Sequence, residues 1–205
     1  MRTRQLVAVP ALISIAVAVG VTGCSSNSSD SSARSTPTSS ASSDAMSKPS
    51  ASDIAFLRTS LTRQQQSTQM AHMAKTAGGS AQVRSLAASI LADNDDHLGS
   101  AQSWMKNNDM NSTQMHSMMS GSPNSDGMPG LASSKSMKRL SMMRGTAFDQ
   151  EFLTMMTTHH RGTVTEAQQE MDHGSGRTMR SMAEAMRESS SHELRRMHRM
   201  QRAED

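Results

Sequence analysis

Four side chains on one stretch have the types and spacing to hold a soft metal ion. Met155, Met156, His159 and His160 lie within FDQEFLTMMTTHHRGTVTEAQQEM, residues 148–171, which carries the chain's only adjacent histidine pair. On an α-helix, positions i and i+4 share a face, so Met155 stacks with His159 and Met156 with His160. Thioethers favour Cu(I) or Ag(I), imidazole accepts Cu(I) and Cu(II), and neither donor needs a thiol. The plainer alternative is a packing role for the methionines and a half-exposed polar pair of histidines.

A second candidate is Met115, His116, Met118 and Met119, set in a Gly/Ser/Asn-rich stretch that supplies no packing reason for so many methionines. It reads either as an auxiliary or transfer site or as a hydrophobic strap over the fold. Met70, His72 and Met73 form a weaker third group. A di-iron reading needs Glu-x-x-His on each of two helices. Glu170–His173 fits that form, but its counterpart Ala74–Ala77 carries no ligand, so His173 reads better as a cation at a helix C-terminus. No nucleophile triad, nucleotide loop or paired-carboxylate cleft stands out, and no enzymatic activity or organic cofactor is expected.

The elements that would position these groups are helical. Asp53 opens a helix to about Thr76, ended by Gly78-Gly79. Ser80 caps a second to about Lys106, with Val83, Leu86, Ile90, Leu98, Ala101 and Trp104 as its apolar stripe. After Leu91 that stripe lapses through Asp96, so packing is expected to loosen there. Residues 107–133 read as a Met-rich loop and residues 134–144 as a short connecting helix. The helix carrying His159 runs from about Thr146 to His173, and a last helix follows Gly176.

These helices repeat at an offset of 96 residues. Phe56-Leu57 matches Phe152-Leu153, and Thr62, Ala71, Gly78, Arg84, Ser85, Ala87 and Leu98 meet identical residues in the second copy. Each copy is a helix–Gly–helix hairpin with one apolar stripe. Two of them bury their stripes best as a four-helix bundle. The fold expected is therefore all-α, one domain over 53–205, with hairpins at 53–106 and within 134–205. Met179, Met182, Met186, Met197 and Met200 align with Val83, Leu86, Ile90, Ala101 and Trp104, so they read as core. Met155, Met156, His159 and His160 align instead with Thr59, Ser60, Arg63 and Gln64. At these positions the second copy has four soft or borderline ligands where the first has none.

The stretch FDQEFLTMMTTHHRGTVTEA resembles the signature F-D-x-x-F-L-x-x-M-x-x-H-H-x-G-A of the DUF305 family of bacterial envelope proteins. GMPGLASSKSMKRL before it and Glu193-Leu194-Arg195-Arg196-Met197 after it fit the same pattern. The resemblance covers about Asp53 to Met200. It implies a ferritin-like four-helix fold, an association with copper, and roles for Met156, His159 and His160. Where the family carries a methionine after the histidine pair, Glu166 stands here.

Composition narrows the rest. Met1–Gln5 is basic, Leu6–Val19 is apolar, and Val21-Thr22-Gly23-Cys24 resembles a lipobox, so residues 1–23 read as a lipoprotein signal and Cys24 as the lipidated residue. Cys24 is the only cysteine, which leaves the folded part without disulfides or thiolate sites. Residues 24–52 are a Ser-rich tether, on the order of 30 Å in reach. Without Arg2 and Arg4, 19 basic residues face 18 acidic ones, and no basic patch interleaves with aromatics, so nucleic acid is not an expected partner. From Asp53 onward 19 methionines outnumber the 17 other large apolar residues, so some methionines must pack the core. The expectation is a lipid-anchored envelope protein that binds copper, with the membrane, the ion and a copper-handling protein as partners. The alternative is a non-metal structural or interaction lipoprotein with a Met-rich core. A third reading makes the methionines an oxidant sink.

Overall fold

The computed structural model describes residues 49–120 and 128–204. The signal stretch, Cys24 and most of the tether lie outside them. Among the described residues the chain forms six helices: α1 (Ala51–Ala77), α2 (Ala81–Asn107), α3 (Ser112–Met119), α4 (Ser134–Met142), α5 (Gly145–His173) and α6 (Arg177–Glu204). The class is all-α, as expected, and compatible with a ferritin-like bundle. The four long helices form a ring in which α1 touches α2 and α5, and α6 touches the same two. A backbone bridge from Gly78 to Gly145 sets the end of α1 beside the start of α5, so these two run antiparallel.

The expected Met-rich loop is partly helical. Asn111 accepts from the Gln114 backbone N–H, and the Gln114 side chain answers the Asn111 N–H, a reciprocal cap that starts α3. The crossover from α2 to α5 therefore carries two short helices rather than one. α3 packs on α1, and α4 on α1 and α5.

Ser80 caps α2 by accepting from the Val83 N–H. α1 begins earlier than Asp53. Ser50 is its cap, and Asp53 is the third helical residue, returning a bond to Ser50. That placement gives Asp53 a second task at the far end of α5: its carboxylate accepts from the Gly176 N–H at 3.1 Å and from the Ser175 hydroxyl at 3.3 Å. Asp149, 96 residues on, accepts from Gly79 N–H at 2.9 Å and Ser80 N–H at 2.7 Å. Each hairpin's first helix thus clamps the turn of the other hairpin. The repeat reaches one turn further back than Phe56 and Phe152, to a pair of identical aspartates.

The turn glycine Gly78 is not left-handed; its backbone is extended at φ −63° and ψ 134°. A side chain is excluded there because a Cβ would stand 2.6 Å from the Ala74 carbonyl oxygen.

The interior has two apolar ends. One gathers Met70, Val83, Leu86, Ile90, Phe148, Phe152, Leu153, Met155, Met156 and Met197. The other gathers Phe56, Leu57, Leu61, Trp104, Met105, Met118, Met179, Met182 and Met186. Phe148 and Phe152 stack with centroids 5.9 Å apart. Met179, Met186 and Met197 are buried, as the repeat requires. In α2, where the apolar stripe lapses, the interior is filled by polar side chains instead of packing loosely.

Candidate metal centre

That polar filling is a waist between the two apolar ends, and His159 and His160 sit in it. It encloses a cavity of about 20 Å³, lined by Arg63, Gln64 and Ser67 from α1, Asp93, Asn94 and His97 from α2, His159, His160 and Thr163 from α5, and Met186, Ser189, Ser190 and Glu193 from α6. The volume suits one water-sized body. The lining has internal symmetry at the repeat offset of 96: Arg63 answers His159, Gln64 His160, Ser67 Thr163, Asp93 Ser189, Asn94 Ser190 and His97 Glu193. The cavity therefore lies between the two hairpins at matching levels of both.

The two histidines differ in what they have left to offer. His159 is buried, and its Nε2 donates to the Arg63 carbonyl oxygen at 3.1 Å. Its Nδ1 then carries a lone pair, and no partner reaches it. Burial, with His160 and Arg63 nearby, pushes its pKa down to about 3, so the ring stays neutral. His160 has both nitrogens engaged, Nδ1 with the Met156 carbonyl at 3.1 Å and Nε2 with the Glu193 carboxylate at 2.5 Å. Glu193 Oε1 and Gln64 Oε1 are buried without partners, like His159 Nδ1.

Surrounding bonds hold this set in place. Ser67 donates to the Gln64 carbonyl, and Asn94 donates to Ser67 at 2.7 Å and Thr68 at 3.0 Å. Thr163 donates to the His159 carbonyl, and His97 Nε2 meets Ser189 at 3.1 Å. Burial, then the charge and hydrogen bond of Glu193, raise Asp93 above the usual carboxylate range. Burial lowers His97 despite the carboxylates beside it. Among the described residues no three His, Asp or Glu side chains converge as a ready ion cage. Any ion at the waist must draw on amide or thioether donors as well, or move side chains.

The expected methionine ligands are placed elsewhere. Met155 and Met156 are buried in the apolar end with Phe148, Phe152 and Leu153, and neither lines the cavity. The methionine that does line it is Met186, expected only as core. In α3, Met118 is buried and Met115 half-buried against the other apolar end, while His116 and Met119 are exposed. His116 Nε2 meets the Ser120 hydroxyl at 3.2 Å. Cys24 lies outside the described residues. The cavity residues missed in the sequence are Gln64, Asp93, His97 and Glu193. The polar lapse in the α2 stripe, whose residues 93–97 the repeat aligns with Ser189–Glu193 of α6, was the signal that could have found them.

A concavity of about 850 Å³ lies outside this waist between α1 and α5 and is lined by neither His159 nor His160. Arg63 separates the two spaces, ion-paired to Glu166 and donating to the Pro129 carbonyl at 2.7 Å. Gly162 makes room for that guanidinium; a Cβ there would meet it at 2.8 Å.

The sequence profile described as "Domain of unknown function (DUF305)" matches residues 53–201. The chain belongs to the DUF305 family. A DUF305 protein of Streptomyces coelicolor, described as secreted, is 27% identical, with a TM-score of 0.59 over 71% of this chain and 89% of that one. A DUF305 fragment from Deinococcus radiodurans has a TM-score of 0.66 at 19% identity, over 75% of this chain and 97% of that one. CopM in its Cu(II)-bound form has a TM-score of 0.62 at 20% identity, with the same coverages. These last two likenesses establish the fold alone. No curated protein matches the sequence. Among the described residues no helix of this DUF305 protein is long and apolar enough to cross a membrane.

Proposed function

We propose that this DUF305 protein is an extracytoplasmic copper-binding lipoprotein, anchored through Cys24, that buffers the ion or hands it on. One observation carries the reading: His159 offers a neutral, buried, unpartnered Nδ1 at a polar cavity between the hairpins. An imidazole lone pair kept dry and unprotonated is what a metal requires and what a packing role does not. The Cu(II)-bound relative of the same fold, the secreted description of the Streptomyces protein and the lipobox-like Cys24 support the same reading.

His160 completes the pair. Met155 and Met156 shape the wall behind it from the apolar side. His116 and Met119 are the exposed donors of the α3 segment, suited to passing an ion to a copper-handling partner, while Met115 and Met118 strap that segment to the bundle. No reaction is assigned to the protein.

The test is titration of the purified protein with Cu(I) and Cu(II), alongside the His159→Ala/His160→Ala double variant. The double variant should lose the tightest equivalent. Native-state binding must also stabilise the fold. A thermal midpoint indifferent to added copper would return the protein to the alternative, a structural lipoprotein with a Met-rich core.

A further inference from the structure

The waist holds three buried acceptor atoms that make no hydrogen bond: Gln64 Oε1 on α1, His159 Nδ1 on α5 and Glu193 Oε1 on α6, whose carboxylate also faces the carboxyl group of Asp93. All three residues line the same 20 Å³ cavity and are more than nine-tenths buried, at 8%, 3% and 4% exposure. Three orphan acceptors around one space are costly unless something electropositive joins them. Arg63, the one Arg or Lys on the lining, gives Nε to Glu166 and Nη2 to the Pro129 carbonyl; its Nη1, also buried without a partner, lies against Gly162 and Gly130 on that outer side.

We propose, resting on the copper-binding reading, that the ion is held on the line between the two hairpins by His159 Nδ1, Glu193 Oε1 and Gln64 Oε1, and that His160 is a positioning residue and not a ligand. His160 grips the other carboxylate oxygen, Glu193 Oε2, at 2.5 Å, and is itself fixed by the Met156 carbonyl at 3.1 Å. It therefore aims Glu193, as a hydrogen-bonded neighbour orients a ligating group in many metal sites. One nitrogen and two oxygens favour an oxidised divalent ion, Cu(II) or Zn(II), over Cu(I). Met186 adds one soft donor on the lining, in place of Met155 and Met156. The ligand set draws on α1, α5 and α6, so ion binding ties the first hairpin to the second.

The experiment is continuous-wave and pulsed EPR of the full-length protein loaded with one equivalent of Cu(II), with affinity measured by competition against a chelator. Wild type should show coupling to a single imidazole. His159→Ala should abolish that coupling. Glu193→Gln and Gln64→Leu should each weaken binding tenfold or more and shift the copper hyperfine splitting. Gln64→Glu, which keeps an acceptor oxygen, should bind at least as tightly as wild type and guards against a folding defect in the Leu variant. His160→Gln should weaken binding while leaving the single-imidazole signature in place. Two coupled imidazoles in wild type, one of them lost in His160→Gln, would overturn the ligand set and leave the copper-binding reading standing. So would unchanged affinity in both Glu193→Gln and Gln64→Leu. Wild type that takes up no Cu(II) or Cu(I) would overturn both.

Discussion

The turns at the two ends of the bundle are closed by the same residue in the same way, yet their neighbourhoods differ. At the α1–α2 turn, Asp149 receives the backbone N–H groups of Gly79 and Ser80. At the α5–α6 turn, Asp53 receives one backbone N–H, from Gly176, and the Ser175 hydroxyl, and it faces a second carboxyl group, Glu170. The residue equivalent to Glu170 in the first hairpin is Ala74, which is fully buried in the apolar end. The α1–α2 end is therefore a simple clamp, while the α5–α6 end is a clamp with a titrating group built beside it. Burial works to raise Asp53, but hydrogen bonds from Ser50 and Gly176 hold it below the usual range. Glu170 takes the opposite path: burial first, then the charge of Asp53 and a hydrogen bond to it, raise it to about 7. A duplicated scaffold thus keeps its clamps and varies what stands next to them.

The largest effect that would sharpen this contrast is at the clamps. Asp149→Ala strands two turn N–H groups and should cost about 3 kcal/mol in urea unfolding, since each orphaned buried donor costs about 1–3 kcal/mol. Asp53→Ala also loses a clamp but relieves Glu170, so its cost should be roughly half as large. Equal costs would mean that Glu170 exerts no strain on its end.

Next is the pH dependence of that end. A folded pKa of about 7, above the ordinary 4.5, means that the protonated carboxyl stabilises the fold fully below pH 4.5 and that this contribution fades as pH rises through 7. Glu170→Gln imitates the protonated form. Its stability should match wild type near pH 4 and exceed it by about 3 kcal/mol at pH 8. A constant difference across that range would show that Glu170 does not titrate in the folded protein. The same scan on Ala74→Gln should show no such slope, only a loss from overpacking.

Smaller still is Met156→Leu. A volume-conserving change in a packed core should cost less than about 1.5 kcal/mol. Copper affinity should not move, because Met156 does not line the cavity. A tenfold loss of Cu(I) affinity would put Met156 back at the ion. The smallest effect belongs to the crossover. Met119→Ser, at a side chain 41% exposed, should stay within about 0.5 kcal/mol. Thermal denaturation measures it.

Much of the fold was legible because helices announce themselves locally. Ser80, Gly78 and Gly174 punctuate the chain, and the apolar spacing of Val83, Leu86 and Ile90 leaves little choice of face. The 96-residue repeat turned the four long helices into two hairpins and then into a bundle. The α3 helix was missed because Asn, Ser and Gly read as loop, while Asn111 and Gln114 in fact build a cap. At the site, helical spacing put Met155 and Met156 on the same faces as the histidines, but one turn away along the axis, at the level of the apolar end and not of the waist. The apolar end claimed the methionines and the polar waist claimed the rings.

The sequence by itself determined the helical class, the hairpin repeat, the asymmetry that sets His159 and His160 against Arg63 and Gln64, and a thiol-free chemistry. Only the tertiary structure decided which donors meet. Periodicity reports which face of a helix is buried, but not what is buried against it. Asp53 reaching Gly176, His160 gripping Glu193, and Gln64 sharing a cavity with His159 are contacts between helices far apart in the chain. They depend on how two antiparallel hairpins bring matching levels together, and that juxtaposition exists only once the apolar ends have packed.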